Sequence, residues 1–166
     1  KANTNGYFPF GACVIADGVA EVFEKDETPG GMIGSGYTYS GHPVGAAAAV
    51  ACLNETLRIK PHLNAAARGT QLHDGLLALQ TKYDIIGDVR GGHGLMLAME
   101  LVSDRASKAP IDKATAGRLQ DAIYQAGTMV RVSGPNVILS PPLTLTEADT
   151  ADVLANLETG FAATAG

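Results

Sequence analysis

The residues Tyr37-Thr38-Tyr39-Ser40-Gly41-His42-Pro43-Val44 gather four hydroxyls, a glycine and an imidazole immediately ahead of a segment of small residues, Gly45 to Leu53. Pro43 stands where a helix can begin, because the N–H it lacks is one of the donors a first turn leaves unpaired. Hydroxyls just before a helix N-terminus, where backbone N–H groups and the positive end of the dipole point outward, can hold an anion. The plainer reading is that Ser and Thr merely cap the helix. A second candidate is Arg131, because Met129-Val130-Arg131-Val132 puts a guanidinium into an apolar β-run. Such a cation must either snorkel to water or meet an anion, and its planar fork suits a carboxylate.

The first twelve residues sharpen this picture. Lys1-Ala2-Asn3-Thr4-Asn5-Gly6-Tyr7-Phe8-Pro9-Phe10-Gly11-Ala12 combines a lysine, a short polar turn, Gly-Tyr-x-Pro and then an apolar run. Taken with the Thr-Tyr-Ser-Gly-His-Pro turn, it resembles the class III (omega) aminotransferases, pyridoxal 5'-phosphate enzymes of fold type I. The resemblance covers nearly the whole chain, and its motifs are specific in combination although each is common singly. It implies that Lys1 is the Schiff-base lysine, and that Thr38 reaches the cofactor phosphate of the neighbouring subunit in a homodimer with composite active sites. It also implies that Arg131, a few residues before Ser140-Pro141-Pro142, recognises a substrate carboxylate and swings away for an uncharged substrate. Tyr7 could border the substrate and Tyr37 the cofactor rim, and either could equally be core or interface filler.

A lysine amine can form an imine with a cofactor aldehyde and later, as a free amine, carry a proton between carbon atoms. Without the resemblance, Lys1 reads as an exposed lysine at a chain end. Ser40 either supports the phosphate turn or caps the helix. His42 reads as a hydrogen-bonded turn residue, since the lysine supplies the acid–base function. Arg90 beside Gly91-Gly92-His93-Gly94 invites a phosphate-loop reading, but no helix follows directly, and a glycine-rich hairpin accounts for it better.

Composition narrows the function classes. A formal charge of −5 over 166 residues, with no cluster of lysine and arginine, lacks the basic footprint of nucleic-acid binding. The longest apolar run, Val44 to Leu53, is about half of a bilayer span and mostly alanine. Cys13 and Cys52 have no metal-ligand spacing, and both read as free buried thiols of a reducing, cytoplasmic compartment; no metal is expected.

The elements that must position these residues follow from periodicity and breakers. Gly11 to Ala16 reads as a buried strand and Val19 to Phe23 as a short helix, followed by a glycine-rich loop over Glu24 to Gly36. Pro43 to Ile59 is the clearest helix, stopped by Pro61. A second helix runs from Leu63 to Lys82, with Gly69 and Gly75 weakening its continuity. Strands are expected at Ile85 to Arg90, Leu95 to Val102, Thr128 to Val132 and Val137 to Ser140. A helix near Asp112 to Ala126 is closed by Gly127, and a last helix, opened by a capping box at Thr146 to Asp149, runs to about Phe161.

The expected class is α/β, the end of a large cofactor domain over residues 1–60 and a small C-terminal α+β domain over 61–166, with the domain change inside Lys60 to Tyr83. The resemblance further implies a longer chain, in which the carboxylate facing the pyridine nitrogen, the aromatic on the ring and a glycine-serine phosphate turn precede Lys1. The activity it implies is transfer of an amino group from an omega-amino acid or amine to a keto acid such as pyruvate. An aminomutase or decarboxylase of the same fold, or a cofactor-free interaction module, is the alternative.

Overall fold

The computed structural model describes residues 1–25 and 34–164, which divide into two compact units, Lys1–Ile59 and Lys60–Gly166. The middle of the expected glycine-rich loop, including Pro29-Gly30-Gly31, lies outside the described residues.

In the first unit a short 3-10 helix, Ala2–Thr4, precedes α1 (Asp17–Glu24) and α2 (Pro43–Ile59). Asn5 (φ 51°) and Gly6 (φ 81°) take left-handed backbone and turn the chain sharply after the 3-10 helix. The aromatic rings of Phe8 and Phe10 then cover the first turn of α2 at Gly45. Alanines make this close packing possible, and Ala49 is buried where the helix meets the N-terminal turn.

The expected strand from Gly11 to Ala16 is not formed. These residues pair with no strand among those described, and Val14 is 94% exposed. An apolar run becomes a strand only when a neighbour completes its ladder. The same exposure corrects the reading of Cys13 as buried, and Cys52 is only half-buried; both thiols are free.

The second unit opens at Lys60, whose left-handed φ of 47° breaks the helical path, with Pro61 as the first residue of α3 (Pro61–Lys82). Pro61 therefore starts a helix as well as ending one. The helix runs unbroken through Gly69 and Gly75.

An antiparallel sheet follows, in the order β1 (Ile86–Arg90), β2 (Leu97–Asp104), β5 (Asn136–Leu139), β4 (Arg131–Ser133), with the two-residue β3 (Ala109–Pro110) also pairing with β2. The glycine-rich hairpin lies between β1 and β2, with Gly91, Gly92 and Gly94 all at positive φ. One face of the sheet presents Leu97, Met99, Leu101, Val137 and Leu139 to α3, α4 (Lys113–Ala126) and α5 (Glu147–Thr164). Leu72, Leu76, Leu119, Ile123, Leu157 and Phe161 complete this buried layer from the helices.

The caps are those the sequence writes. Asp112 accepts from the N–H groups of Ala114 and Thr115 at 2.9 and 3.0 Å, and Gly127 closes α4 at φ 116°. At α5 Asp149 performs the reciprocal role usually taken by Glu: it accepts from the Thr146 N–H at 3.0 Å while its own N–H donates to Thr146 Oγ1 at 3.1 Å.

Candidate active site

Lys1 leads a turn that is tied together internally. Its carbonyl accepts from the N–H groups of Thr4 at 3.3 Å and Gly6 at 2.9 Å. Thr4, only 1% exposed, donates its hydroxyl to the Phe8 carbonyl at 2.6 Å, so the lysine turn is fixed to the aromatic residue that covers α2. Cys52 Sγ, from α2, approaches the Ala2 carbonyl at 3.7 Å. The Lys1 side chain is exposed, and no carboxylate occurs in the sequence between Lys1 and Ala16 to pair with it locally.

The Thr38 turn sits at the other end of the same assembly. Ser40 N–H donates to the Tyr37 carbonyl at 2.9 Å, Tyr37 N–H donates to Ser40 Oγ at 3.1 Å, and His42 N–H donates to the Tyr39 carbonyl at 3.1 Å. Ser40 thus shapes the turn itself and makes no helix cap. The Thr38 hydroxyl has no hydrogen-bond partner among the described residues. The first bond of α2 is from Ala46 N–H to the His42 carbonyl at 3.0 Å, which leaves the Val44 and Gly45 N–H groups ahead of the ladder.

No acidic residue occurs from Gly34 to Asn54. A free hydroxyl, unladdered N–H groups and the absence of local negative charge fit a phosphate. Tyr7 and Tyr37 are 88% and 83% exposed, which removes the core-filler reading for each within this unit.

His42 departs from expectation. Its backbone is hydrogen-bonded, but its ring Nδ1 is buried without a partner. The ring packs instead against aromatics, 5.2 Å from Phe8 and 5.4 Å from Tyr39 between centroids.

In the second unit Arg131 occupies the edge strand β4. Val130 is buried and Val132 packs on the core, so alternation sends Arg131 to the sheet face away from the helices, where it is exposed. The register carries a row across that face: Arg90 opposite Ala98, Ala98 opposite Ile138, Ile138 opposite Arg131.

The two arginines in this row differ in charge balance. Arg90 donates to Asn136 Oδ1 at 2.5 Å and lies 3.2 Å from Glu100 and 3.7 Å from Asp88. Arg131 has no ion pair among the described residues. Three strand spacings put the two guanidinium-bearing positions about 14 Å apart, beyond the screening length at physiological salt, so the acids around Arg90 do little at Arg131. A cleft of about 510 Å³ is lined by Arg131 together with Met129, Ser140, Pro141 and Pro142. Met129, two residues ahead of β4, shares the exposed side of Arg131 by alternation with the buried Val130.

Among the described residues no group of His, Cys, Asp and Glu is arranged to hold a metal ion, and no helix is long and apolar enough to cross a membrane.

Comparison with known proteins follows the same lines. The family model described as "Aminotransferase class-III" matches residues 1–161. The chain is 33% identical to the taurine–pyruvate aminotransferase of Bilophila wadsworthia, covering 97% of this chain and 37% of that protein. It is also 33% identical to the diaminobutyrate–2-oxoglutarate transaminase of Halomonas elongata, over 95% of this chain and 34% of that protein. An amine transaminase from an uncultivated Pseudomonas species, solved with pyridoxal phosphate bound, superposes with a TM-score of 0.88 at 41% identity, over 99% of this chain and 37% of that one. The chain thus spans about a third of the length of the relatives it matches.

Proposed function

From the premise that this chain belongs to the class III aminotransferases and shares their pyridoxal-phosphate fold type I, we propose that it carries the reactive lysine, a phosphate turn and a substrate-carboxylate arginine of an omega-amino acid or amine transaminase. The amino acceptor is a keto acid such as pyruvate. The observation that carries the reading is the joining of Lys1 and Thr38 within one unit: the lysine turn is seated against α2, and the same helix begins directly after the Thr38 turn. The substrates named for the relatives, taurine, diaminobutyrate and amines, support a donor whose amino group is remote from an α-carboxylate or has none.

Pyridoxal phosphate supplies the carbonyl that accepts the amino group and a ring that takes up the electron pair of a broken C–H bond. Everything else falls to the chain. Lys1 Nζ holds the cofactor between turnovers and, once free, takes a proton from the donor carbon and returns one to the acceptor carbon. Thr38 Oγ1 and the first-turn N–H groups of α2 bind the phosphate of the neighbouring subunit's cofactor. Arg131 binds the acceptor carboxylate through its guanidinium fork and withdraws for an uncharged amine. Tyr7 borders the substrate and Tyr37 the cofactor rim. This division of labour requires a homodimer.

Borohydride reduction of the full-length protein with pyridoxal phosphate, followed by peptide mapping, tests the reading. The label is expected on Lys1; a label on Lys25, Lys60 or another lysine overturns it.

A further inference from the structure

The His42 ring belongs to the Thr38 turn and also contacts the aromatic residue that follows the Lys1 turn. Phe8, whose carbonyl is hydrogen-bonded by Thr4 of the lysine turn, stacks on it at 5.2 Å with planes tilted by 31°. Tyr39, the residue after Thr38, meets the same ring at 5.4 Å in an edge-on contact of 67°. The Phe8 ring is itself pressed onto Gly45 at the start of α2. The buried Nδ1 has no hydrogen-bond donor, so the ring is held through that side by aromatic packing and not by a polar anchor.

We infer that His42 is a positioning residue: packed against both Phe8 and Tyr39, it fixes the Lys1 turn and the Thr38 turn as one unit, so that displacement of either is felt at the other. The inference rests on the function proposed above. Under that reading Lys1 serves its own subunit's cofactor and Thr38 the neighbour's, and the packing of His42 on Phe8 is a mechanical link between the two active sites of a dimer.

The consequence is a pattern across variants. In the full-length protein, two quantities report on the two turns separately: the affinity of the apoprotein for pyridoxamine 5'-phosphate, which makes no bond to Lys1, and the pH titration of the visible absorbance of the lysine-bound cofactor. His42→Ala removes the stack and is expected to weaken pyridoxamine phosphate binding about three- to tenfold, the effect of one aromatic pair, and to shift the absorbance titration as well. His42→Phe keeps a ring and removes the unpartnered nitrogen, so both readouts return to wild type. His42→Asn keeps a polar atom without a ring and behaves like His42→Ala.

Should His42→Ala not fold, Phe8→Leu, which keeps apolar volume over Gly45 but loses the stacking plane, gives the same paired loss. A change in phosphate affinity alone, or rescue by Asn and not by Phe, overturns the inference. Unchanged readouts in His42→Ala overturn it too, provided wild type carries its borohydride label on Lys1; a wild type without that label overturns the functional reading beneath it.

Discussion

The ring of Phe8 lies so close over Gly45 that a Cβ at residue 45 would stand 2.8 Å from Phe8 Cε1. Gly45 is in the first turn of α2, where alanine would gain about 1 kcal/mol of helix propensity. Overpacking a tight contact costs about 1–3 kcal/mol, and the ring cannot move freely because it also packs against His42. Gly45→Ala is therefore expected to be neutral to destabilising in chemical denaturation and to loosen cofactor retention in equilibrium dialysis. A variant more stable than wild type with full retention would show that the seat of the lysine turn is not tight.

Gly69 presents the same competition with a harder obstacle. A Cβ there would clash with the Gly94 carbonyl oxygen, backbone of the β1–β2 hairpin, which only a shift of the hairpin or of α3 can relieve. Gly69→Ala is expected to lower unfolding stability by about 1–3 kcal/mol despite the better helix former. Urea denaturation at unchanged m-value measures it.

Gly69 and Gly75 mark where a local pattern stops being informative. In α4 the cap Asp112, the periodic apolar face and Gly127 all agree, and the helix was legible from end to end. Gly69 and Gly75 argue against a continuous α3 by propensity alone, yet each is where another part of the unit comes closest, Gly94 at the first and the Leu154 side chain at the second. Such tertiary approach is invisible in a local pattern. Gly11 to Ala16 fails for the complementary reason: a strand's existence depends on a partner, and none is among the described residues. Among the candidate site residues, Lys1, Thr38 and Arg131 are proposed on motif, and Arg131's outward position follows from alternation with Val130 and Val132. The packing of His42 on Tyr39 lies within one turn, but its packing on Phe8 was not readable, because Phe8 comes from a turn 34 residues earlier in the chain.

Acid should weaken two helix caps. The Thr115 N–H and hydroxyl, with the Ala114 N–H, hold the Asp112 carboxyl below its ordinary value of 3.8, and the Thr146 hydroxyl and N–H do the same for Asp149. A carboxyl lowered in the folded state contributes stability that is present above the ordinary value and lost as pH falls through the folded one. Thermal midpoints measured from pH 7 down to about pH 3 should therefore fall at the acid end, and Asp112→Asn, which cannot titrate, should flatten part of that fall. An identical acid limb in the variant would remove Asp112 from the account.

Thr38 offers a clean separation of binding from folding. Its hydroxyl has no partner among the described residues, so Thr38→Ala should leave the stability of the cofactor-free protein unchanged. If the hydroxyl donates to a phosphate oxygen, the same variant should retain cofactor more weakly by about 1–3 kcal/mol, the scale of a lost hydrogen bond to a charged group. Dissociation constants for pyridoxal phosphate in the full-length protein decide the matter, and unchanged affinity contradicts the assignment.

Arg131 separates substrate recognition from the rest of the chemistry. It is exposed on an edge strand with no ion pair among the described residues, so Arg131→Ala should change unfolding stability by less than about 0.5 kcal/mol, as for a surface substitution. A carboxylate bound by the guanidinium in a closed active site loses far more, about 2–5 kcal/mol when one partner of a buried charge pair is removed. The variant should therefore slow the half-reaction with a keto acid strongly while sparing the half-reaction with an uncharged amine. Single-turnover absorbance kinetics resolves the two halves. Equal slowing of both would make the residue a structural element of the cleft beside Met129 and Ser140, and no effect on either would return it to a solvated arginine at a sheet edge.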